Sequence, residues 1–190
     1  PYGYTKYFQE QIIKDWASTN HKAYSIILRY FNPIGAHESG LIGEDTKGIP
    51  ENLIPYLMKV ALRKLDKLLI FGDDYATIDG TGVRDYIHVI DLAKGHLATL
   101  EILDKISGLN IWNLGTGHGH SVLQIIKTFE KVSGLKLPYE IVKRRHGDIA
   151  SSYANPEKAF KNLKWTARYN LHKMIEDAWR WQKTNPNGYK

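Results

Sequence analysis

Cysteine is absent from the 190 residues. Its absence excludes disulfides and thiolate metal sites and permits a reducing compartment, so a cytoplasmic protein is the expectation. No apolar run approaches the ~18 residues that span a bilayer, so no membrane partner is expected. The eight histidines are scattered and none has metalloprotease spacing. His118 and His120 lack a third ligand nearby, so no metal is expected either. Gly-x-Ser-x-Gly is missing, which leaves a serine hydrolase without support. Internal repeats and low-complexity linkers are missing too.

What is present suits a folded domain. Hydrophobic residues make up 43% and charged residues 24% of the chain, enough to bury a core as one domain or one and a half. The net charge of +6 suits an anionic ligand, and equally a nucleic acid or an acidic surface. The densest basic run is Lys143-Arg144-Arg145, and such short runs are commonly solvated. The chain opens on Pro1 with a candidate catalytic residue at position 2. The expectation is the C-terminal portion of a longer protein.

Strand and helix signals alternate, which predicts the α/β class. Residues 2–17 carry Phe8, Ile12, Ile13 and Trp16 at helical spacing. Residues 23–28 form a short apolar run suited to a buried parallel strand, ended by Phe31-Asn32-Pro33. A polar, glycine-bearing loop covers 37–52. A helix is expected from Leu53 to Leu65 and a strand over 68–71. Residues 84–89 alternate like a strand, and Asp91 is placed to cap a helix reaching Leu103. Another strand covers 111–114, and Ser121 caps a helix to about Val132. A strand follows over 139–142, then a short helix to Leu163 with Asn155 as its cap and Pro156 in its first turn. The last helix starts at Asn170 or Leu171.

Tyr2 and Lys6 are four apart, which sets both side chains on one face of a helix. A free phenol deprotonates only near pH ~10, and a neighbouring ammonium favours the phenolate. The pair therefore offers a general base for a hydroxyl. The spacing itself is not specific, since Tyr139/Lys143 and Tyr169/Lys173 repeat it. The plain alternative is a surface aromatic and a solvated lysine. Elsewhere, Arg84 and Arg145 could fork a diphosphate between them. Asp148 suits ribose hydroxyls, and Phe71 at a strand end suits a base. Gly115-Thr-Gly-His-Gly-His-Ser121 is a partial dinucleotide-binding turn, short of its third glycine and of an acidic partner. A tight turn beside a ligand is the expectation there.

The segments together carry a resemblance. Pro1-Tyr-Gly-Tyr-Thr-Lys6 followed by Leu28-Arg-Tyr-Phe-Asn-Pro-Ile-Gly-Ala36 resembles the extended short-chain dehydrogenase/reductase superfamily. The later series comprises Gly43-Glu-Asp, Gly48-Ile-Pro-Glu-Asn-Leu53, Ile70-Phe-Gly72, Asp79-Gly-Thr-Gly-Val-Arg-Asp-Tyr-Ile-His-Val89, Trp112-Asn-Leu-Gly-Thr-Gly117 and Gly147-Asp148. In this order it resembles the UDP-glucose 4-epimerases over essentially the whole chain.

The resemblance implies a fold, a cofactor and roles. The fold would be the C-terminal part of a doubly wound Rossmann-type parallel sheet plus a smaller mixed α/β substrate-binding domain. Residues 1–36 and about 80–117 would belong to the first, and about 37–79 and 118–190 to the second. Tyr2 would be the base at the sugar 4-hydroxyl and Lys6 its electrostatic partner, both touching NAD, with Phe31 by the nicotinamide. Asn32, Asn52 and Leu53 would meet the nucleotide sugar. Leu69 and Phe71 would hold uracil. Arg84 and Arg145 would clamp the diphosphate, with Tyr86 and Val122 beside them and Asp148 on the ribose. Ser152 would lie near the hexose. The chain departs from the family pattern at Glu51, where some members carry asparagine, and at Ser152, where a larger tyrosine is common. Activity would be interconversion of UDP-glucose and UDP-galactose in galactose metabolism, extending with the small Ser152 to N-acetylated UDP-hexosamines. A homodimer and no nucleic-acid partner are implied. The alternatives are another nucleotide-sugar epimerase, dehydratase or decarboxylase of the superfamily, or a basic nucleotide- or RNA-binding module.

Overall fold

The computed structural model describes residues 2–20 and 23–189. Pro1, which opens the Pro1–Lys6 motif, lies outside them. The chain runs α1 (Tyr2–Thr19), β1 (Tyr24–Tyr30), β2 (Asn32–Ile34), α2 (Leu53–Ala61), β3 (Leu68–Phe71) and β4 (Val83–His88). It continues with α3 (Val89–Leu100), β5 (Gly108–Leu114), β6 (Gly119–Ser121), α4 (Val122–Ser133), β7 (Tyr139–Val142), β8 (Ser151–Ser152), α5 (Glu157–Leu163) and α6 (Leu171–Thr184). The α/β class expected from alternation is the class observed. No helix among the described residues is long and apolar enough to cross a membrane.

Parallel pairing dominates. β1 pairs with β5 from Tyr24↔Gly108 to Tyr30↔Leu114. β2 pairs with β4 and β3 with β7, both parallel. β4 also takes β6 antiparallel on one register and β8 parallel on another. Asn32-Pro33 therefore does not simply end a strand. It opens a second short one, because Pro33 lacks an N–H and the chain shifts to a new neighbour there. β6 and β8 were beyond the sequence reading, since segments of three and two residues carry no periodicity.

Two apolar cores flank these sheets. One gathers Leu57 and Met58 of α2, Ile70 of β3, Ile125 and Phe129 of α4, and Ile175 of α6. The other gathers Ile87, Trp112 and Leu114 with Ala159, Leu163 and Trp165. Residues 159–165 thus pack on the β1–β5 side. The stripe on α1 behaves differently: Phe8, Ile12 and Trp16 are exposed and only Ala17 is buried.

Local signals explain most helix ends. Ser121 and Gln124 form the reciprocal capping box of α4, which stops at Gly134 with φ 72°. Asn170 caps α6. α3 is the exception, because His88 and not Asp91 is its cap: His88 Nδ1 accepts from the N–H of Ile90 at 3.0 Å. Asp91 turns inward, where its carboxylate accepts the N–H groups of Arg168 and Tyr169 at 2.7 and 2.9 Å. Before α5, Pro156 occupies the cap position, while the Asn155 side chain accepts from the N–H of Glu157 at 3.0 Å.

Candidate functional site

A cavity of about 840 Å³ opens between the ends of β2 and β4, the loop before α2, and β3. That volume suits a sizeable small-molecule ligand. β2 contributes Asn32, and the loop and first turn of α2 contribute Asn52 and Leu53. Leu69 and Phe71 come from β3, whose burial alternates along the strand, leaving these two partly exposed. β4 supplies Arg84 and Tyr86, α4 supplies Val122, and the loop after β7 supplies Arg145 and Asp148. Ten of the eleven residues expected at the substrate therefore share one wall. The eleventh, Ser152, pairs with Arg84 in β8 and does not line this cavity.

The charged groups are mutually arranged. Arg145 Nε donates to Asp148 Oδ2 at 3.0 Å, and its guanidinium lies 4.7 Å from the centroid of the Phe71 ring. Arg84 reaches Asp148 at 4.0 Å and donates to the carbonyls of Val83 and Ile149 at 2.8 and 2.9 Å. One carboxylate thus holds both guanidiniums in place while leaving N–H groups on each for a ligand. Burial pushes the Tyr86 phenol up to about 12, against the opposing pull of Arg84. Tyr86 therefore offers an O–H donor at neutral pH.

Asn32 and the glycine turn are set by one buried acid. Asn32 Nδ2 donates to the carbonyl of Asp85 at 2.7 Å. The fully buried Asp85 carboxylate accepts from Thr116 N at 3.1 Å, Thr116 Oγ1 at 2.5 Å, Gly117 N at 2.9 Å and Ala154 N at 3.1 Å. A Cβ on Gly115 would come within 2.5 Å of Ala154 and 2.7 Å of Asp85. The turn that resembles a phosphate cradle is therefore already filled by the protein's own carboxylate. A tight turn closed on a buried carboxylate is what the residues build.

Tyr2 and Lys6 stand on one face of α1, with Lys6 Nζ 5.6 Å from the centroid of the Tyr2 ring. Tyr2 is 75% exposed. Lys6 also donates weakly to Gln9 at 3.5 Å. Phe31 lies beside Gly115, just past β1, where its N–H donates to the Leu114 carbonyl at 3.2 Å. Tyr2, Lys6 and Phe31 are not among the residues lining the cavity.

The fold and its parallel strands define an open α/β protein of the Rossmann type. Residues 1–115 match the model of the NAD dependent epimerase/dehydratase family, and the chain belongs to that family. It is 57% identical over 190 residues to a UDP-glucose 4-epimerase of Haemophilus influenzae, covering all of this chain and 56% of that protein. It is 56% identical over 189 residues to the UDP-glucose 4-epimerase of Mus musculus, covering 100% of this chain and 54% of that one. The crystal structure of UDP-glucose 4-epimerase from Bifidobacterium longum in complex with NAD+ and UDP superposes with a TM-score of 0.96 at 54% identity, over 100% of this chain and 56% of that one. The chain thus spans a little over half the length of the proteins it matches.

Asp85 went unremarked as an organiser, although the motif Arg84-Asp85-Tyr86 alternates. Its inward position follows from that alternation: Arg84 faces the cavity, so Asp85 faces the interior. Glu44 also lines the cavity and was seen in the sequence only as part of Gly43-Glu-Asp45.

Proposed function

We propose that this chain supplies the acid–base residue and the nucleotide-sugar cradle of an NAD-dependent UDP-glucose 4-epimerase. The whole protein would interconvert UDP-glucose and UDP-galactose through a 4-keto sugar, in the cytoplasm and as a homodimer. The observation that carries this reading is the convergence of Arg84, Arg145, Asp148, Tyr86 and Phe71 on one cavity. Relatives sharing more than half of its residues bear that name, which supports the same reading.

The donor set fits one end of NAD. An ammonium and a phenol on one helical face would hold ribose hydroxyls, with the Phe31 ring by the nicotinamide. When bound, that cofactor supplies a hydride acceptor and donor for sugar C4. Tyr2 takes the proton of the 4-hydroxyl and later returns one, and the Lys6 ammonium stabilises the phenolate in between. Arg84 and Arg145 grip the diphosphate with paired N–H groups, and the Tyr86 hydroxyl donates beside them. Phe71 stacks on uracil, its other face covered by Arg145. Asp148 accepts from the uridine ribose. Inversion at C4 requires the hexose to turn about its bond to the diphosphate, so the grip must be firm at the phosphates and loose at the sugar.

The test is Tyr2→Phe in the full protein. Turnover of UDP-galactose should fall by about 10²–10⁴-fold, while UDP affinity stays within about twofold. Undiminished turnover would sink the assignment of the base.

A further inference from the structure

The acid in the middle of Gly43-Glu44-Asp45 is the one group of that triplet the scaffold does not use. The Gly43 N–H donates to the Tyr189 hydroxyl at 2.9 Å, and that hydroxyl donates to the Gly43 carbonyl at 3.0 Å. A Cβ on Gly43 would fall 2.1 Å from the Trp181 ring, so the backbone lies flat against the indole. Trp181 Nε1 donates to the Glu44 carbonyl at 3.1 Å. The Asp45 carboxylate accepts the N–H of Tyr189 at 3.1 Å. Backbone on both sides of Glu44 is therefore bolted down, and the residue lies on the cavity wall.

Glu44 is solvent-exposed, yet protein atoms crowd it enough to raise its carboxyl above the usual range. Both hold for a group on a concave wall. Burial is the sole resolved influence, and no cation pulls the other way. The basic side chains lining the cavity are Arg84 and Arg145, and both sit by Asp148. Glu51, a second acid with no guanidinium beside it, lines the same loop wall.

We propose that Glu44 is a specificity-determining residue: its carboxylate, carried on a backbone held in place, accepts hydrogen bonds from the hydroxyls of a neutral hexose and repels a nucleotide-linked hexuronate. Glu51 adds to the repulsion. The inference rests on the reading of the cavity as a UDP-sugar site. A like charge on a concave wall discriminates by withholding affinity from the wrong partner.

The experiment measures UDP, UDP-glucose and UDP-glucuronate as competing ligands of the full protein, in the parent, Glu44→Gln and Glu44→Lys forms. Glu44→Gln should shift the affinity ratio of UDP-glucuronate to UDP-glucose by about tenfold toward the acid. Glu44→Lys should shift it further, and UDP alone should bind all three within about twofold. An unchanged ratio in both variants, with UDP bound normally, would overturn the role of Glu44 and leave the epimerase reading standing. A parent protein that does not bind UDP would overturn that reading and this inference together.

Discussion

Replacing Asp85 with asparagine should destabilise the protein by about 3 kcal/mol. The side chain is fully buried and each of its oxygens receives two donors: Thr116 N and Oγ1 on one, Gly117 N and Ala154 N on the other. Asparagine keeps the shape but one oxygen becomes an NH₂ group, which cannot accept. If the amide nitrogen faces Thr116, the hydroxyl can rotate away and one backbone N–H is orphaned. If it faces Gly117 and Ala154, two are. An unsatisfied buried N–H costs about 1–3 kcal/mol, and the surviving bonds weaken because the charge is gone. The lower end of that sum is about 2 kcal/mol and the upper about 5. Urea unfolding of the parent and the variant, compared at equal slope, reads the difference directly. Because the same residue's carbonyl anchors Asn32 at the cavity wall, UDP affinity should fall with stability. A loss below 1 kcal/mol would refute the view that this carboxylate holds the glycine turn.

Two other outcomes follow from named groups. Burial lowers the His88 imidazole to about 4, with Asp91 pulling the other way and Lys173 and Lys94 adding smaller lowering effects. Its Nδ1 accepts from the Ile90 N–H, and its Nε2–H faces Asp177 Oδ2 at 3.2 Å. The unfolded chain takes up this proton near pH ~6.5 and the folded chain only near 4. Stability from this group is therefore complete above pH 6.5 and declines below it, by at most about 1.4 kcal/mol per pH unit, until the folded imidazole also protonates. An imidazole NMR titration with a midpoint above pH 6 would refute it. Ser152 lies outside the cavity but pairs with Arg84 on its wall, so a sugar reaching past that arginine would meet it. Ser152→Tyr should then lower kcat/KM for an N-acetylated UDP-hexosamine about tenfold more than for UDP-galactose, and equal losses on both would argue against a role for this position in hexose size selection.

Fold class and most helix ends were legible because each has a local cause, whereas Asn52, Leu53, Leu69, Tyr86 and Val122 were named for the cavity only through the family resemblance. Ser121 followed by Gln124 states a capping box, residues 68–71 state a strand, and Arg84 and Arg145 gather beside Asp148 on the cavity wall. The sequence was silent where the cause is distant. Asp91 looked like a cap, but its carboxylate is claimed by backbone N–H groups 77 and 78 residues away, and His88 takes the cap instead. The stripe on α1 had helical period but no partner among the described residues to bury it, and periodicity does not say what covers a face. β6 and β8 exist only because β4 offers them edges.

Trp181 has a consequence that sequence distance hides. Its indole supports Gly43 and bonds Glu44, 137 residues upstream, and the Tyr189 ring lies beside it at 4.7 Å, tilted by 44°. Residues 181–189 are in this way a buttress for the lip of the cavity, although neither aromatic lines it. Damage confined to residues 181–189 would be felt first at the cavity wall around Glu44, with α1 left intact.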